Sequence, residues 1–451
     1  MAALVLLPQL WIFQGGGWNQ NSRFALTRAL LLRGSIQIDS DVGATGDHAL
    51  RGGHVYSDKA PGLAFAAVAP LAIAGTAAAA AGLTPEQPWW WRIVPHAVTV
   101  MSVSLPVALT AAAFYGELAL LFSPGAALIA VAAVFLATPL LGYAGLFYGH
   151  ALAACMLAVG WLLLRRSRPA LAGFVCGAAV LVEYPAALGA ALLGIHVLAD
   201  PNLRRGALPF ALAGIPPLIV LAAYNDAAFG APWAIGYSHL PEGTFESMKK
   251  GVYGVRLPQL QALWQITFGE HRGLFRFSPV LLLALPGAWL LARRDRRAAV
   301  LSLGLAAAFL LMNSAYAYWD GHASFGPRHA LAGVGLLCLP IAAAAHRWPK
   351  IALLLLAPSL AICGLAWSTR PEATPLSWDP LREQWLHFWR TDAIGASIFW
   401  FHSKDPLDYR SGYCLPLFFG LDGRAALLPL APLAAGLIAL WHRAERPRPR
   451  P

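Results

Sequence analysis

Long apolar runs alternate with short polar connections along the whole chain. The runs fall at 2–14, 62–82, 93–115, 124–142, 149–164, 169–184, 186–199, 206–224, 278–292, 298–315, 329–346, 350–366 and 424–441. A helix needs about 20 mostly apolar residues to cross a bilayer, so each run is a candidate crossing. The pattern predicts an all-α fold, a polytopic membrane helical bundle with no repeat at a fixed period. The first run begins at Met1 with no basic residue ahead of it and no small-residue cleavage site. It therefore reads as a retained helix rather than a cleaved signal.

Basic clusters orient the bundle, because Lys and Arg concentrate in cytoplasmic connections. Arg165-Arg166-Ser167-Arg168, Arg204-Arg205, Arg293 to Arg297, Arg347 with Lys350, and the tail from Arg443 all occupy short connections or an end. Alternation then places 225–277, 316–328 and 367–423 outside. The run 62–82 is the exception. It is mostly alanine and carries Pro70, so it drives insertion weakly. Read as a non-spanning segment, it leaves 16–92 as one long first outer loop with surface helices. The expectation is about 12 spans in a single domain over 1–451, in the inner (plasma) membrane, with both termini cytoplasmic.

Composition agrees with this picture. Hydrophobic residues make up 58% of the chain and charged residues 12%, against about 25% charged in a soluble domain. Of the 33 Lys+Arg, 15 fall on the cytoplasmic side, with only 4 of the 22 Asp+Glu. The net +11 is thus an orientation signal, and no nucleic-acid partner is expected. The five cysteines are far apart, share no metal or redox spacing, and predict no disulfide framework.

The first outer loop gathers most of the candidate chemistry. Trp18 to Gly34 reads as an amphipathic surface helix. Asp39, Asp41 and Asp47 follow, then His54-Val55-Tyr56-Ser57-Asp58-Lys59-Ala60-Pro61-Gly62. A carboxylate here can deprotonate an acceptor hydroxyl, and Lys59 at the mouth of an apolar run suits a lipid phosphate. Asp39-Ser40-Asp41 also has the spacing of a metal-binding acid pair, so a divalent cation is left open. Further along, His150 sits beside the second outer loop, Glu183 at a helix junction, and Arg272, Asp320 and Arg328 in later outer loops. Aromatics near a cavity can stack on a sugar, although most of the 17 Trp suit an interfacial belt. The last outer loop, 367–423, mixes acids, bases and Trp without a readable motif.

Together these segments resemble the GT-C glycosyltransferases that use a phospholipid-linked sugar, a class that includes protein mannosyltransferases, aminoarabinose transferases and oligosaccharyltransferases. The resemblance rests on Asn19 to Arg23, Thr45-Gly46-Asp47 and Tyr56 to Gly62, then on Tyr143 to His150, Glu183-Tyr184-Pro185, Tyr224-Asn225, Arg272-Gly273 and Trp319 to Arg328. It covers about residues 16–330. It implies a long first outer loop and a carrier-phosphate contact for Lys59. It also implies a catalytic acid early in that loop, and the match through Arg23-Phe24 puts the amides Gln20-Asn21 at that place. An amide cannot take a proton, so the base is sought at Asp39, Asp47 or Asp58. Substrate contacts are expected from Lys59, Arg23, His54, Tyr56, His150, Glu183, Arg272, Asp320 and Arg328.

The expected activity is transfer of a sugar from a polyprenyl-phosphate-linked donor to a hydroxyl of a glycan, lipid or protein acceptor on the outer face. Two alternatives stand beside it. One is a lipid-linked sugar flippase, which needs a polar path across the membrane. The other is a polysaccharide polymerase or ligase with a pyrophosphate-linked donor.

Overall fold

The computed structural model describes residues 1–395 and 413–444. Every apolar run becomes helical. Among the described residues, five helices are long and apolar enough to cross a membrane: Pro88–Leu121, Arg204–Phe229, Arg296–Ala315, Pro349–Thr369 and Gly423–Arg443. Eight shorter apolar helices of 10–17 residues fill the remaining runs, among them Val68–Ala80, Gly149–Arg165, Pro169–Val182 and Ala186–Ala199. Local signals start several of them. Proline opens the helices at Pro124, Pro169 and Pro349, where its missing N–H costs nothing. Asp295 caps the helix from Arg296 by accepting the Ala298 N–H at 2.9 Å. The helices Arg204–Phe229 and Gly423–Arg443 expose leucine and isoleucine over most of their surface, as lipid-facing helices do. The chain is a multi-pass membrane protein. Cys155, Cys176, Cys338 and Cys363 are buried and unpaired with one another.

The connections sort to two ends of the bundle. At one end Arg165 meets Glu117 at 3.2 Å and Asp295 at 3.8 Å, Arg297 meets Asp200 at 3.6 Å, and Arg294 donates to the Leu121 carbonyl at 3.3 Å. The basic connections singled out by charge thus lie together. At the other end, segments from 16–60, 148–150, 183–188, 235–255, 312–329 and 372–375 enclose one cavity.

This arrangement decides how Val68–Ala80 runs. Pro88–Leu121 is 34 residues long, about 50 Å at 1.5 Å per residue, so its two ends cannot share a face. Leu121 lies at the basic end, which puts Pro88 and the turn before it at the cavity end. Gly62 also lies at the cavity end, beside the backbone of Leu181 and Val182. Both ends of the segment 62–82 therefore lie on the same side. Its main helix, 13 residues or about 20 Å, leans against Trp18–Arg33 and Pro88–Thr99.

The polar first loop is more ordered than an all-α reading allows. It contains a β-hairpin. Numbering the strands along the chain, β1 (Ile12–Phe13) pairs with β4 (Tyr413–Cys414), while β2 (His48–Arg51) pairs antiparallel with β3 (His54–Ser57). The β2–β3 turn is Gly52-Gly53, with φ of 60° and 81°. Two residues at positive φ make the two-residue turn that matches strand twist, and glycine takes that conformation without a steric penalty. The register sets His48 opposite Ser57. Asp47 and Asp58, eleven positions apart in the chain, consequently flank the same end of the ribbon.

The sidedness is open to a labelling test. In a variant without the five native cysteines, single cysteines at Ser40 and Thr84 are expected to react from the same membrane face, and one at Ser167 from the opposite face. Reaction of residue 84 together with residue 167 would mean that 62–82 crosses after all.

Candidate active site

The cavity measures about 620 Å³. Its apolar lining includes Leu188, Ile235, Leu240, Met248 and Met312. The same cavity collects charged groups from four parts of the chain.

The hairpin supplies the first group. Lys59 follows β3 directly, and its ammonium lies 2.9 Å from Asp47 Oδ2 and 2.9 Å from Asp58 Oδ2. The Tyr237 ring sits 5.5 Å from the same nitrogen. Burial opposes the charge on Lys59, but the two carboxylates more than offset it and hold the ammonium above its ordinary range. Asp58 is 1% exposed. Burial pushes its carboxyl up to about 6 against the pull of Lys59, and the charge on Asp47 adds to the rise. Asp58 Oδ1 is buried and has no hydrogen-bond partner among the described residues. Asp47 is electrostatically close to Lys59, Arg328, His322 and Glu372, which places it centrally.

Arg23 supplies the second group. It is 1% exposed, and it projects from the helix Trp18–Arg33. Its guanidinium donates to Asn19 Oδ1 at 3.0 Å, to the Ala60 and Val182 carbonyls at 3.0 and 3.2 Å, and to Glu183 Oε1 at 2.6 Å. These bonds tie three segments together at one point. Glu183 lies where Pro169–Val182 ends, packed so closely on Gly149 that any side chain there would collide with it. The carboxylate thus sits at the N-terminus of Gly149–Arg165, where a helix favours negative charge. His150 Nδ1 is 3.6 Å from the same oxygen.

The third group is Arg328 with Tyr148 and Glu372. Tyr148 donates a short hydrogen bond to Glu372 Oε1, and Arg328 Nη1 lies 3.5 Å from the Tyr148 hydroxyl. Glu372 is buried, and burial pushes its carboxyl up. Among the described residues Arg328 has no carboxylate within ion-pair distance. Its Nε is buried without a partner.

Several residues marked in the sequence lie elsewhere. Asp39 is half-exposed, accepting the Val55 N–H at 2.6 Å and contacting His54 Nδ1 at 3.0 Å. Neither Asp39 nor His54 lines the cavity. Tyr56 is buried against Phe229 and supports the hairpin from behind. Arg272 is fully buried, and its guanidinium donates to the carbonyls of His271, Asp320, His322, Ala373 and Thr374. It is a clamp between two loops, and Asp320 engages it through its main-chain carbonyl alone. Asp39 and Asp41 do not converge on a cation, since Asp41 is held by Arg28 and Arg33. No group of three or more His, Cys, Asp or Glu among the described residues is arranged to hold a metal ion. The loop 367–423 lies in part, at 396–412, outside the described residues, as does the tail 445–451.

The sequence reading missed Glu372, Tyr237, His322 and His329 as cavity residues. Glu372 follows a crossing as Arg370-Pro371-Glu372, a carboxylate at a helix end like Glu183. That position was the available signal.

No family model matches the chain, and no curated protein matches it. Solved structures do. ArnT from Cupriavidus metallidurans in the apo state superposes with a TM-score of 0.53 at 15% identity, covering 87% of this chain and 67% of that one. The apo oligosaccharyltransferase of Archaeoglobus fulgidus gives 0.54 at 14%, over 92% of this chain and 59% of its own. The same archaeal enzyme, AglB, in complex with an inhibitory peptide and a dolichol-phosphate, also gives 0.54 at 14%, over 92% and 60%. The chain spans about three fifths of the length of the archaeal protein. At these identities the likeness establishes the GT-C fold.

The Arg23–Glu183 pair makes a testable claim about stability. Glu183→Gln leaves a buried guanidinium without its counter-charge and should destabilise the protein by about 3–5 kcal/mol, read as a fall in Tm in detergent. The double variant R23M/E183L removes both charges and should recover part of that loss. A double variant no more stable than E183Q would show that the ion pair is not the lock.

Proposed function

We propose that this chain is a membrane glycosyltransferase that moves a sugar from a polyprenyl-phosphate-linked donor to a hydroxyl acceptor at the cavity end of the bundle. One observation carries the reading. A single cavity is lined both by apolar side chains suited to an isoprenoid tail and by an ion-clamped carboxylate pair, with an arginine that has no carboxylate within ion-pair distance among the described residues. The dolichol-phosphate in the AglB complex supports a lipid-phosphate donor on this fold. The basic connections at the opposite end support an outer-face cavity, and the reading takes 12 crossings of one domain with both termini cytoplasmic. The membrane is then the inner (plasma) membrane.

The roles follow from charge. Lys59 is already bonded to two carboxylates, so it serves to keep them ionised rather than to bind phosphate. Arg328 is the cation left to meet the phosphate as it takes up negative charge. Asp47 faces the cavity and accepts the proton of the acceptor hydroxyl. The hydroxyl oxygen attacks the anomeric carbon, the bond to the phosphate oxygen breaks, and its electron pair stays on the phosphate. One such displacement inverts the anomeric centre. Aromatic side chains in the cavity, Tyr237 and Tyr316 among them, offer faces on which a sugar ring can stack. The acceptor is a glycan, lipid or protein hydroxyl.

Asp47→Asn should lower transfer from a polyprenyl-phosphate sugar by roughly 10²–10⁴-fold, while Asp39→Asn, outside the cavity, should leave it within twofold. Equal loss in both variants would move the base away from Asp47.

The pH dependence tests the clamp. Asp58 titrates near 6. Below that pH it is protonated and Lys59 has Asp47 as its sole counter-ion, which weakens Asp47 as a base. Transfer by the wild type should therefore rise with pH through about 6. Asp58→Asn should flatten that limb.

A further inference from the structure

Buried polar atoms in proteins almost always have partners, yet one wall of this cavity gathers several that have none. His150 Nε2, His329 Nε2 and Arg328 Nε are all buried and unbonded among the described residues. The three residues line the same cavity. The two imidazoles meet edge-on with ring centroids 5.6 Å apart, and His150 is only 8% exposed. Tyr148 stacks on one side of His150, and Tyr316 packs on His329 with centroids 4.9 Å apart. Their rings are thus fixed while their outer nitrogens stay open. Three open nitrogens on one wall suit a ligand with several acceptor oxygens.

We infer that His150, His329 and Arg328 form a subsite for a phosphate monoester dianion, and that filling it draws one proton from solvent onto the imidazole pair. The inference rests on the lipid-phosphate donor proposed above and deepens it. The donor is a phosphodiester with one negative charge. When its bond to the anomeric carbon breaks, the electron pair stays on oxygen and the phosphate becomes a monoester with two charges. The acceptor hydroxyl's proton goes to Asp47. The second charge on the phosphate is met by the solvent proton on the histidine pair, which is returned when the lipid phosphate leaves. A protonated imidazole has two N–H donors and a neutral one has one, so the protonated pair grips the product form.

The surroundings fit a ligand-driven change. His150 faces Arg23, Lys59 and Arg328, with Glu183 as the nearest carboxylate, and Glu183 is already bonded to Arg23. His329 faces Arg328, Lys59, His150 and His322. A dianion placed among them reverses the local field and favours the charged imidazole.

Calorimetry tests this on the full chain in nanodiscs at pH 7, in two buffers of different ionisation enthalpy. The probes are farnesyl phosphate and its methyl diester. The monoester should bind with uptake of a proton and the diester without it. The double variant H150N/H329N should bind both esters without uptake and lose about tenfold or more in affinity for the monoester, with H329N alone as the milder variant if the double fails to fold. No uptake by the wild type, or uptake that persists in the variants, overturns the subsite while leaving the donor reading intact. Failure of both esters to bind overturns both.

Discussion

A charge cannot be buried alone, and that constraint shapes the functional end of this molecule. Arg23 and Lys59 lie almost out of contact with bulk water in a bundle made mainly of alanine and leucine. Each survives there because other segments deliver counter-charges to it. Glu183 comes to Arg23 from the end of a helix 160 positions away. Asp47 and Asp58 come to Lys59 from the two legs of one hairpin. Breaking either set leaves a buried ion unpaired, which costs far more than an exposed ion pair is worth. The pairs therefore act as fasteners for elements that share little else. Arg23 bonds at once to the turn at Ala60 and to the helix end at Val182 and Glu183, so the first loop cannot move without pulling on the bundle.

The same pairing sets the chemistry. On the proposed reading, the ion pairs of Lys59 with its own carboxylates remove it from phosphate binding and hold one of those carboxylates ready as a base. Arg328 is held differently. It reaches Tyr148 and the Ala323 carbonyl, both neutral, so its positive charge stays uncancelled at close range. On the proposed reading, the cavity in this way separates a proton-accepting group from an anion-accepting one within one small volume. Such a separation serves a displacement in which one group loses a proton while another gains negative charge. Arg272, by contrast, commits its guanidinium to main-chain carbonyls and shapes the loops around the cavity from outside it.

The helices were legible because they obey one rule. A run of apolar residues in a bilayer has no alternative to a helix that satisfies its own backbone, and the runs mark the helices to within a few residues. The β-hairpin was not legible, because its strands are four residues each, half polar, and lie in the loop where acids and bases were densest. Arg51-Gly52-Gly53-His54 carries a turn signal, yet nothing in a single sequence says that the flanking strands pair rather than wander. Missing the hairpin meant that Asp39, Asp47 and Asp58 looked equivalent. Pairing separates them, since the ribbon brings the last two together and leaves Asp39 bonded to His54 on the outside. Glu372 was illegible for a related reason. Its position in the cavity depends on how a late loop folds back over the first one, a contact across more than 350 positions of chain.

The amides at Gln20-Asn21 show why the acid had to come from elsewhere. Asn21 Nδ2 donates to the Gly16 and Ala44 carbonyls at 3.2 and 2.8 Å, and Gln20 donates to the Gln14 carbonyl while accepting the Phe147 N–H at 3.0 Å. A carboxylate accepts but does not donate when ionised. An acid at position 21 would leave two buried carbonyls without donors and place its own charge against them. The fold around Gly16 and Ala44 thus selects an amide at that point, whatever the reaction requires. The space just ahead of it is not empty of charge, however. Gly17 lies so near Glu372 that a Cβ there would come within 3.2 Å of both carboxylate oxygens. The absence of a side chain at 17 lets a carboxylate from the far end of the chain reach the start of this helix. The acidity of the cavity is therefore assembled from the hairpin, Glu183 and residue 372, and the helix from Trp18 contributes Arg23 and hydrogen bonds.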